Sequence, residues 1–499
     1  MKNSSADYTD WLRHEVRNLK EVEHGGEIWK YLGSGKEILD FSSNANPLGP
    51  SRKVLRVLRK SLSLISFLPD SDSSSVREAI AEYLGRPIRP SNIIVGNGST
   101  ELIHLFALTF VNKGEECIIP IPTFGEYEIA VRRVGGKPRF LRLKPSDGFT
   151  LKIDKVLEDV KPRRTKAVFI CNPNNPTGQV VPQPDIIRLL DETLSVNVMV
   201  FLDESYIEFS SESSLVSLVE KYPNLFVLRS LTKVFGLMGL RIGYGVASEE
   251  LVKFMSKAKI SWNVNVLAQI AAVVALKDRS YLEKVKRTIK KERKFLFREL
   301  QKIKGFQVLP TKANFFLVNI ENFGFSAPNL KEQLLKHGIL IRDCSSIRGL
   351  NSCYIRISVR RRLENRKLLE TLRHLGGDME LIRRYLASVV AAGKIKGSNL
   401  NCEYYPCHFK GQDCTWCFCP FYPCGDIQVG GKWIVKSWSR KIWSCSGCNW
   451  IHKPEIAHEV LKEILQLMNA YSDINKVSRK KLLKIYSKVK AKHPPHQPS

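Results

Sequence analysis

The chain has no apolar run approaching the roughly 18 residues that a bilayer requires, and Met1 to Lys20 is polar and charged rather than leader-like. A cytoplasmic protein without a membrane span is the expectation. It also lacks a Walker loop and a Gly-rich kinase loop, so no nucleotide-phosphate site is legible. Acidic residues are scarce: 49 Asp and Glu face 78 Lys and Arg, for a formal net charge of +29 over 499 residues. That excess is spread out, because residues 376–499 hold only 19 of the basic residues against 9 acidic ones. Basic character along the whole chain argues against a dedicated nucleic-acid arm and fits attraction of small anions. The segment from Lys476 to Lys492 is the exception, since its Lys and Arg interleave with Leu, Ile and Val as in a basic amphipathic helix, with a solvated face over a small core as the plainer reading and a membrane-surface or partner contact as the other.

What is present is a lysine in a particular setting. Lys233 follows Ser230 and Thr232 and precedes Arg241, with Gly236, Gly239 and Gly243 in the same stretch. An amine able to bond an aldehyde, beside two hydroxyls and a guanidinium able to hold a phosphate, is what a pyridoxal phosphate site requires. Upstream, Ala167–Cys171 and Val198–Leu202 are short apolar runs that predict buried parallel strands. The first runs into Asn172-Pro173-Asn174-Asn175-Pro176-Thr177-Gly178 and the second into Asp203-Glu204-Ser205-Tyr206. Asp203 is placed to keep a pyridine nitrogen protonated, and Asn175 and Tyr206 to hydrogen-bond the ring's phenolic oxygen. Each residue alone has a plainer role, Asp203 as a helix cap and the Asn-Pro run as a turn.

Together, Asn175, Asp203, Tyr206, Lys233 and Arg241 resemble, in order and separation, the fold type I pyridoxal phosphate enzymes of the aspartate aminotransferase superfamily, over roughly residues 24–375. The resemblance implies an α/β fold: an N-terminal arm (1–35), a cofactor-binding large domain with a mostly parallel seven-stranded sheet (36–264) and a small domain (265–375) that closes over the substrate. It also implies a homodimer. The run Val95 to Glu101 fits as a strand, a Gly-rich turn and a helix start, so Gly98, Ser99 and Thr100 are expected at the cofactor phosphate. Phe124 falls where the family places an aromatic ring on the cofactor face, although a core role would also suit it.

Within the superfamily the chain is similar to histidinol-phosphate aminotransferases and to the threonine-phosphate decarboxylases of cobalamin biosynthesis. Three segments resemble the decarboxylase branch: His24-Gly25-Gly26, the loop Phe41–Gly49 with Asn44 and Asn46, and Leu340–Ser346 followed by Arg348-Gly349-Leu350 and Tyr354–Arg360. Arg356 lies in a strand-forming run and is assigned the substrate carboxylate, which a guanidinium grips at two points. Arg342 is assigned the substrate phosphate, assisted by His24, and Asn44, Asn46 and Asn175 complete the expected substrate site. Arg348, Arg360, Arg361 and Arg362 read as general basic surface. Decarboxylation of threonine phosphate is the leading expectation, transamination of histidinol phosphate the alternative, and scaffolding of the pathway by a secondary enzyme a third. One departure is Leu68, where relatives commonly carry a tyrosine that reaches the neighbouring subunit's cofactor phosphate.

Eight of the 12 cysteines fall between 402 and 448: Cys402, Cys407, Cys414, Cys417, Cys419, Cys424, Cys445 and Cys448. Such density in a cytoplasmic chain indicates metal before disulfides. Cys414–Cys417 and Cys445–Cys448 are C-x-x-C pairs, and eight thiolates match two four-ligand zinc sites, an iron–sulfur cluster using the same ligand type. His408 and His452 lie nearby. The segment resembles a small cysteine-rich domain attached to some cobalamin-pathway decarboxylases, most specifically over Asp413–Cys424. The expected division is a helical linker (376–399, with Met379–Ala392 helical), the metal module (400–455) and a basic helical tail (456–499). A second activity such as threonine kinase, or contact with other cobamide-pathway enzymes, follows from pathway logic alone. Cys117, Cys171, Cys344 and Cys353 read as small buried residues.

Overall fold

The computed structural model describes residues 11–17, 19, 21–31, 37–402, 404–436, 440–471, 473–474 and 477–495. The first ten residues of the expected arm lie outside them.

Seven strands form the central sheet. In spatial order they are Ile93–Gly96, Gly243–Val246, Leu225–Ser230, Met199–Asp203, Thr165–Cys171, Glu116–Ile121 and Lys137–Arg142, and all pairings are parallel except those of Gly243–Val246. Their apolar sequences follow from burial on both faces, as in a sheet covered by helices. Alternate residues along Thr165–Cys171 serve different cores: Val168 and Ile170 enter one, and Ala167, Phe169 and Cys171 enter the other. The second core is built on aromatics, with Phe106 and Phe201 ring centroids 4.9 Å apart. The parallel strands Thr165–Cys171 and Met199–Asp203 deliver Asn175 and Asp203 at their carboxyl ends, where open α/β sheets bind ligands.

The small domain holds an antiparallel sheet in the order Arg342–Asp343, Tyr354–Ser358, Phe315–Asn319 and Gln307–Val308, with Arg342 opposite Arg356. Leu39–Asp40 pairs in parallel with Ile339–Leu340, so the chain segment leading into the loop Phe41–Gly49 is fastened to this domain.

The expected linker is not a separate element. Arg362–Ala392 is one helix of 31 residues that runs through Gly376 and Gly377 and stops where Gly393 takes φ 62°. Its far end carries Leu386 and Val389 into a third core with Trp416, Phe421, Trp450, Val460 and Ile464. The same core includes Leu482, Ile485, Tyr486 and Val489 of the helix Arg479–Lys492. These four residues make a stripe at helical spacing, so the amphipathic tail helix lays its apolar face on the module and keeps its Lys face outward. Arg479 is buried and donates to the carbonyls of Phe421, Tyr422 and Pro423. Antiparallel strands Lys432–Lys436 and Arg440–Ser444 complete the module. Among the described residues no helix is long and apolar enough to cross a membrane.

Candidate active site

A cavity of about 1180 Å³ opens between the sheet's carboxyl edge and the small domain, lined among others by Lys233, Asp203, Tyr206, Asn175, Ser99, Thr100, Thr232, Arg241, Phe124, Asn44, His24, Arg342 and Arg356. Most of the expected site is therefore in one place. Lys233 Nζ lies 5.9 Å from the centre of the Tyr206 ring. Desolvation, aided by the charges of Arg356 and Arg241, lowers its pKa to about 8, so a free amine exists near neutral pH.

Asp203 is buried at a strand end, where it accepts from Tyr127 OH (2.7 Å) and from the Ser205 amide (2.8 Å). Burial pushes its carboxyl above the ordinary range, and no salt bridge joins it to a cation among the described residues. An acid in that condition fits a cationic ring nitrogen brought by a ligand. Tyr206 OH accepts from Asn44 Nδ2 at 2.9 Å, and burial raises its phenol to about 12.

The phosphate end is shaped by close approach. Gly98 has φ 80°, and a Cβ there would stand 2.6 Å from the Arg241 guanidinium. A Cβ on Gly243 would stand 2.7 Å from the Ser99 amide nitrogen. Glycine at both positions leaves room for the start of the helix Ser99–Phe110 beside Arg241, whose guanidinium donates to the Met238 carbonyl (3.2 Å). A helix start with Ser99, Thr100 and Arg241 around it fits a phosphate. Ser230 is buried behind this surface, its hydroxyl 2.7 Å from that of Thr232, so it supports Thr232 and does not line the cavity.

Arg356 donates to Asn175 Oδ1 (2.5 Å) and to the Ser42 carbonyl (2.8 Å), while its Nε has no hydrogen-bond partner among the described residues. It is a buried cation bonded to neutral oxygens alone, and burial lowers its pKa. Arg342 donates to the carbonyls of His24 (3.2 Å) and Glu23 (2.6 Å) and to Ser346 Oγ (3.1 Å). A buried guanidinium without a carboxylate is costly unless an anion arrives.

Asn46 corrects the expectation. Its amide donates to the carbonyls of Val234 (2.9 Å) and Gly49 (3.1 Å), so it braces the loop beside Lys233 and does not line the cavity. Arg348 also departs from bare surface, since it grips Glu128 at two points, both 2.8 Å, at the cavity wall. Sequence reasoning missed Tyr127, Glu126 and His104. The first two adjoin Phe124, but only the fold brings them to partners at Asp203 and His24.

In the module, no group of three or more His, Cys, Asp and Glu side chains is arranged to hold a metal among the described residues. The eight thiols nevertheless sort by neighbourhood. Cys417 lies near Cys407, Cys414 and Cys402, and Gln412 Nε2 donates to both Cys407 (3.0 Å) and Cys414 (3.7 Å). Cys419, Cys424, Cys445 and Cys448 pack together on the module core.

Comparison with known proteins agrees with this architecture. Residues 36–372 match the family "Aminotransferase class I and II", and residues 394–475 match "Cysteine-rich small domain". The chain is 39% identical over 364 residues to a Caldanaerobacter subterraneus protein named "Putative threonine-phosphate decarboxylase", covering 72% of this chain and 96% of that one. It is 35% identical over 370 residues to the histidinol-phosphate aminotransferase of Methanococcus aeolicus, covering 73% and 98%. The crystal structure of the histidinol-phosphate aminotransferase from Clostridium acetobutylicum superposes with a TM-score of 0.63 at 32% identity, over 68% of this chain and 100% of that one.

Proposed function

Because the chain belongs to the class I and II aminotransferase family, we propose that it is a pyridoxal phosphate enzyme that decarboxylates threonine phosphate to aminopropanol phosphate for cobamide assembly. The observation that carries this reading is the pair Arg342 and Arg356. Register partners on antiparallel strands project to one face with Cβ atoms roughly 5 Å apart. Two guanidiniums so close suit a small substrate whose carboxylate and phosphate sit on adjacent carbons. Histidinol phosphate carries no carboxylate, its phosphate and imidazole being borne on the two carbons that flank the amino-bearing one, so that substrate itself makes less use of the pair. The identity to the decarboxylase-named relative supports the same choice, and transamination of histidinol phosphate is the second reading, supported by the aminotransferase relatives.

The bound cofactor would supply an electron sink for the pair released when the Cα–carboxylate bond breaks. This chain's residues do the rest. Arg356, turned by Asn175 and Ser42, would grip the carboxylate and so fix the orientation of the bonds at Cα. Arg342 holds the phosphate away from that direction and so opposes its elimination. Asp203 keeps the ring nitrogen charged, and Lys233, with its lowered pKa, is a group able to move a proton at Cα. Purified holoenzyme incubated with threonine phosphate should release carbon dioxide. Glutamate formed from histidinol phosphate and 2-oxoglutarate, without carbon dioxide from the first substrate, would replace this reading with the second.

The family's typical assembly supports a homodimer here, and an exposed apolar stretch favours it: Ile65, Phe67 and Leu68 are 68%, 67% and 74% exposed, with Ile260 and Trp262 exposed as well. For the module the reading is a thiolate metal site, zinc first and an iron–sulfur cluster second, supported by the two groups of four cysteines. Metal analysis of the purified chain decides between them, and a metal-free, folded module would remove both.

A further inference from the structure

One carboxylate beside the cavity has no task in the chemistry above. Glu126 is buried at the start of the helix Glu126–Arg133, and each of its oxygens takes one histidine. Oε1 lies 2.8 Å from His24 Nε2, and Oε2 lies 2.8 Å from His104 Nε2. Desolvation would raise such a carboxyl, but the bonds from His104 and His24 outweigh it and hold it at about 2, so Glu126 is an anion at any working pH. A carboxylate accepts and does not donate, so both Nε2 atoms carry hydrogen. Nε2 of His24 thus serves Glu126, and Nδ1 is the nitrogen left for the cavity that His24 lines, where it donates to an anion when the ring carries its second proton, a state that the Glu126 carboxylate favours.

The three residues come from separate parts of the fold. His24 lies on the arm, Glu126 follows Phe124, and His104 sits on the helix Ser99–Phe110 whose first residues face the cavity. The arm is held close by more than this cluster. Arg342 takes the carbonyls of Glu23 and His24, and Gly25 lies so near Ser42 that a Cβ would meet its carbonyl oxygen at 2.4 Å. His24 itself packs beside Phe124, with ring centroids 5.8 Å apart, and its side chain keeps 49% of its surface open. A cluster with a purely structural purpose would have no reason to leave one edge of an oriented imidazole on an anion site.

We propose that Glu126, braced by His104, is a positioning residue that orients His24 Nδ1 toward the phosphate monoester of the substrate, with Arg342 holding the same group from the small domain. The proposal rests on the functional reading only in requiring a phosphorylated substrate, which threonine phosphate and histidinol phosphate both are. Glu126 thereby links the arm to the helix at the cofactor-phosphate end, and recognition of substrate phosphate depends on that link.

The test is a double-mutant cycle on full-length holoenzyme, with inorganic phosphate as the probe and its dissociation constant by calorimetry as the readout. Glu126→Gln and His24→Ala should each weaken phosphate by about tenfold or more, the scale of a lost charge-assisted bond. The double variant should be no weaker than His24→Ala, cofactor absorbance should be unchanged, and Glu126→Asp should recover part of the loss. If Glu126→Gln does not fold, His104→Asn takes its place with a smaller expected loss. Losses that multiply in the double variant, or phosphate binding that ignores Glu126, would overturn the proposal. Phosphate binding is independent of which reaction follows, so the carbon dioxide and glutamate assays can fail without deciding this question.

Discussion

Arg342 and Arg356 face one another across two antiparallel strands, and neither meets a carboxylate among the described residues. One is fixed by arm carbonyls and Ser346, the other by Asn175 and Ser42. Two cations side by side repel, so their neighbourhood is most stable when anions lie between them.

Replacing Arg342 with Ala should therefore do more than weaken binding. The expected outcome with threonine phosphate is a rise in KM of about tenfold or more, together with inorganic phosphate appearing as a side product. A phosphate assay run beside carbon dioxide release measures the partition, and an unchanged ratio contradicts the role given to Arg342.

Arg356→Lys keeps a charge but loses the flat two-point grip. We expect kcat/KM for decarboxylation to drop by about a hundredfold, on the order of 2 to 3 kcal/mol, while cofactor absorbance stays as in the parent. Equal loss of cofactor would instead make Arg356 part of the cofactor site.

Lys233 gives a pH signature in cofactor-free protein. Folded, its pKa is about 8 against the 10.5 of an ordinary lysine, so the unfolded chain binds its proton more tightly. Lys233 therefore destabilises the fold fully below about pH 8, and that penalty is relieved as pH climbs toward 10.5. The stability of the parent relative to Lys233→Met should rise through this window in urea titrations. A flat difference would mean that the amine is not desolvated.

Ile65→Asp should dissociate the proposed dimer at micromolar concentration, since burying a charge in an apolar contact is strongly unfavourable. Sedimentation would report it, and an unaltered mass would place the interface elsewhere.

Much of this was legible because the cofactor chemistry needs particular groups at strand ends. Asn175, Asp203 and Lys233 stand in short, recognisable contexts, and the strands before Asn175 and Asp203 are apolar enough to fix their burial. Two kinds of feature were not legible. Pairings made by the fold alone, such as Glu126 with His24 at a separation of 102 residues, leave no local trace. Asn46 shows the complementary failure, since a motif marks a loop without telling which of its amides turn inward. The helix Arg362–Ala392 runs through Gly376 and Gly377 although each costs about 1 kcal/mol against alanine.

The unbroken helix Arg362–Ala392 has a mechanical consequence. Only Val359, Arg360 and Arg361 separate the strand bearing Arg356 from this rod, and the rod's other end is embedded beside Trp416 and Phe421. A stiff shaft about 45 Å long turns a small rotation at one end into displacement at the other. The cysteine-rich module and the strand bearing Arg356 therefore sit at the two ends of one continuous element, with three residues as the only joint between rod and strand.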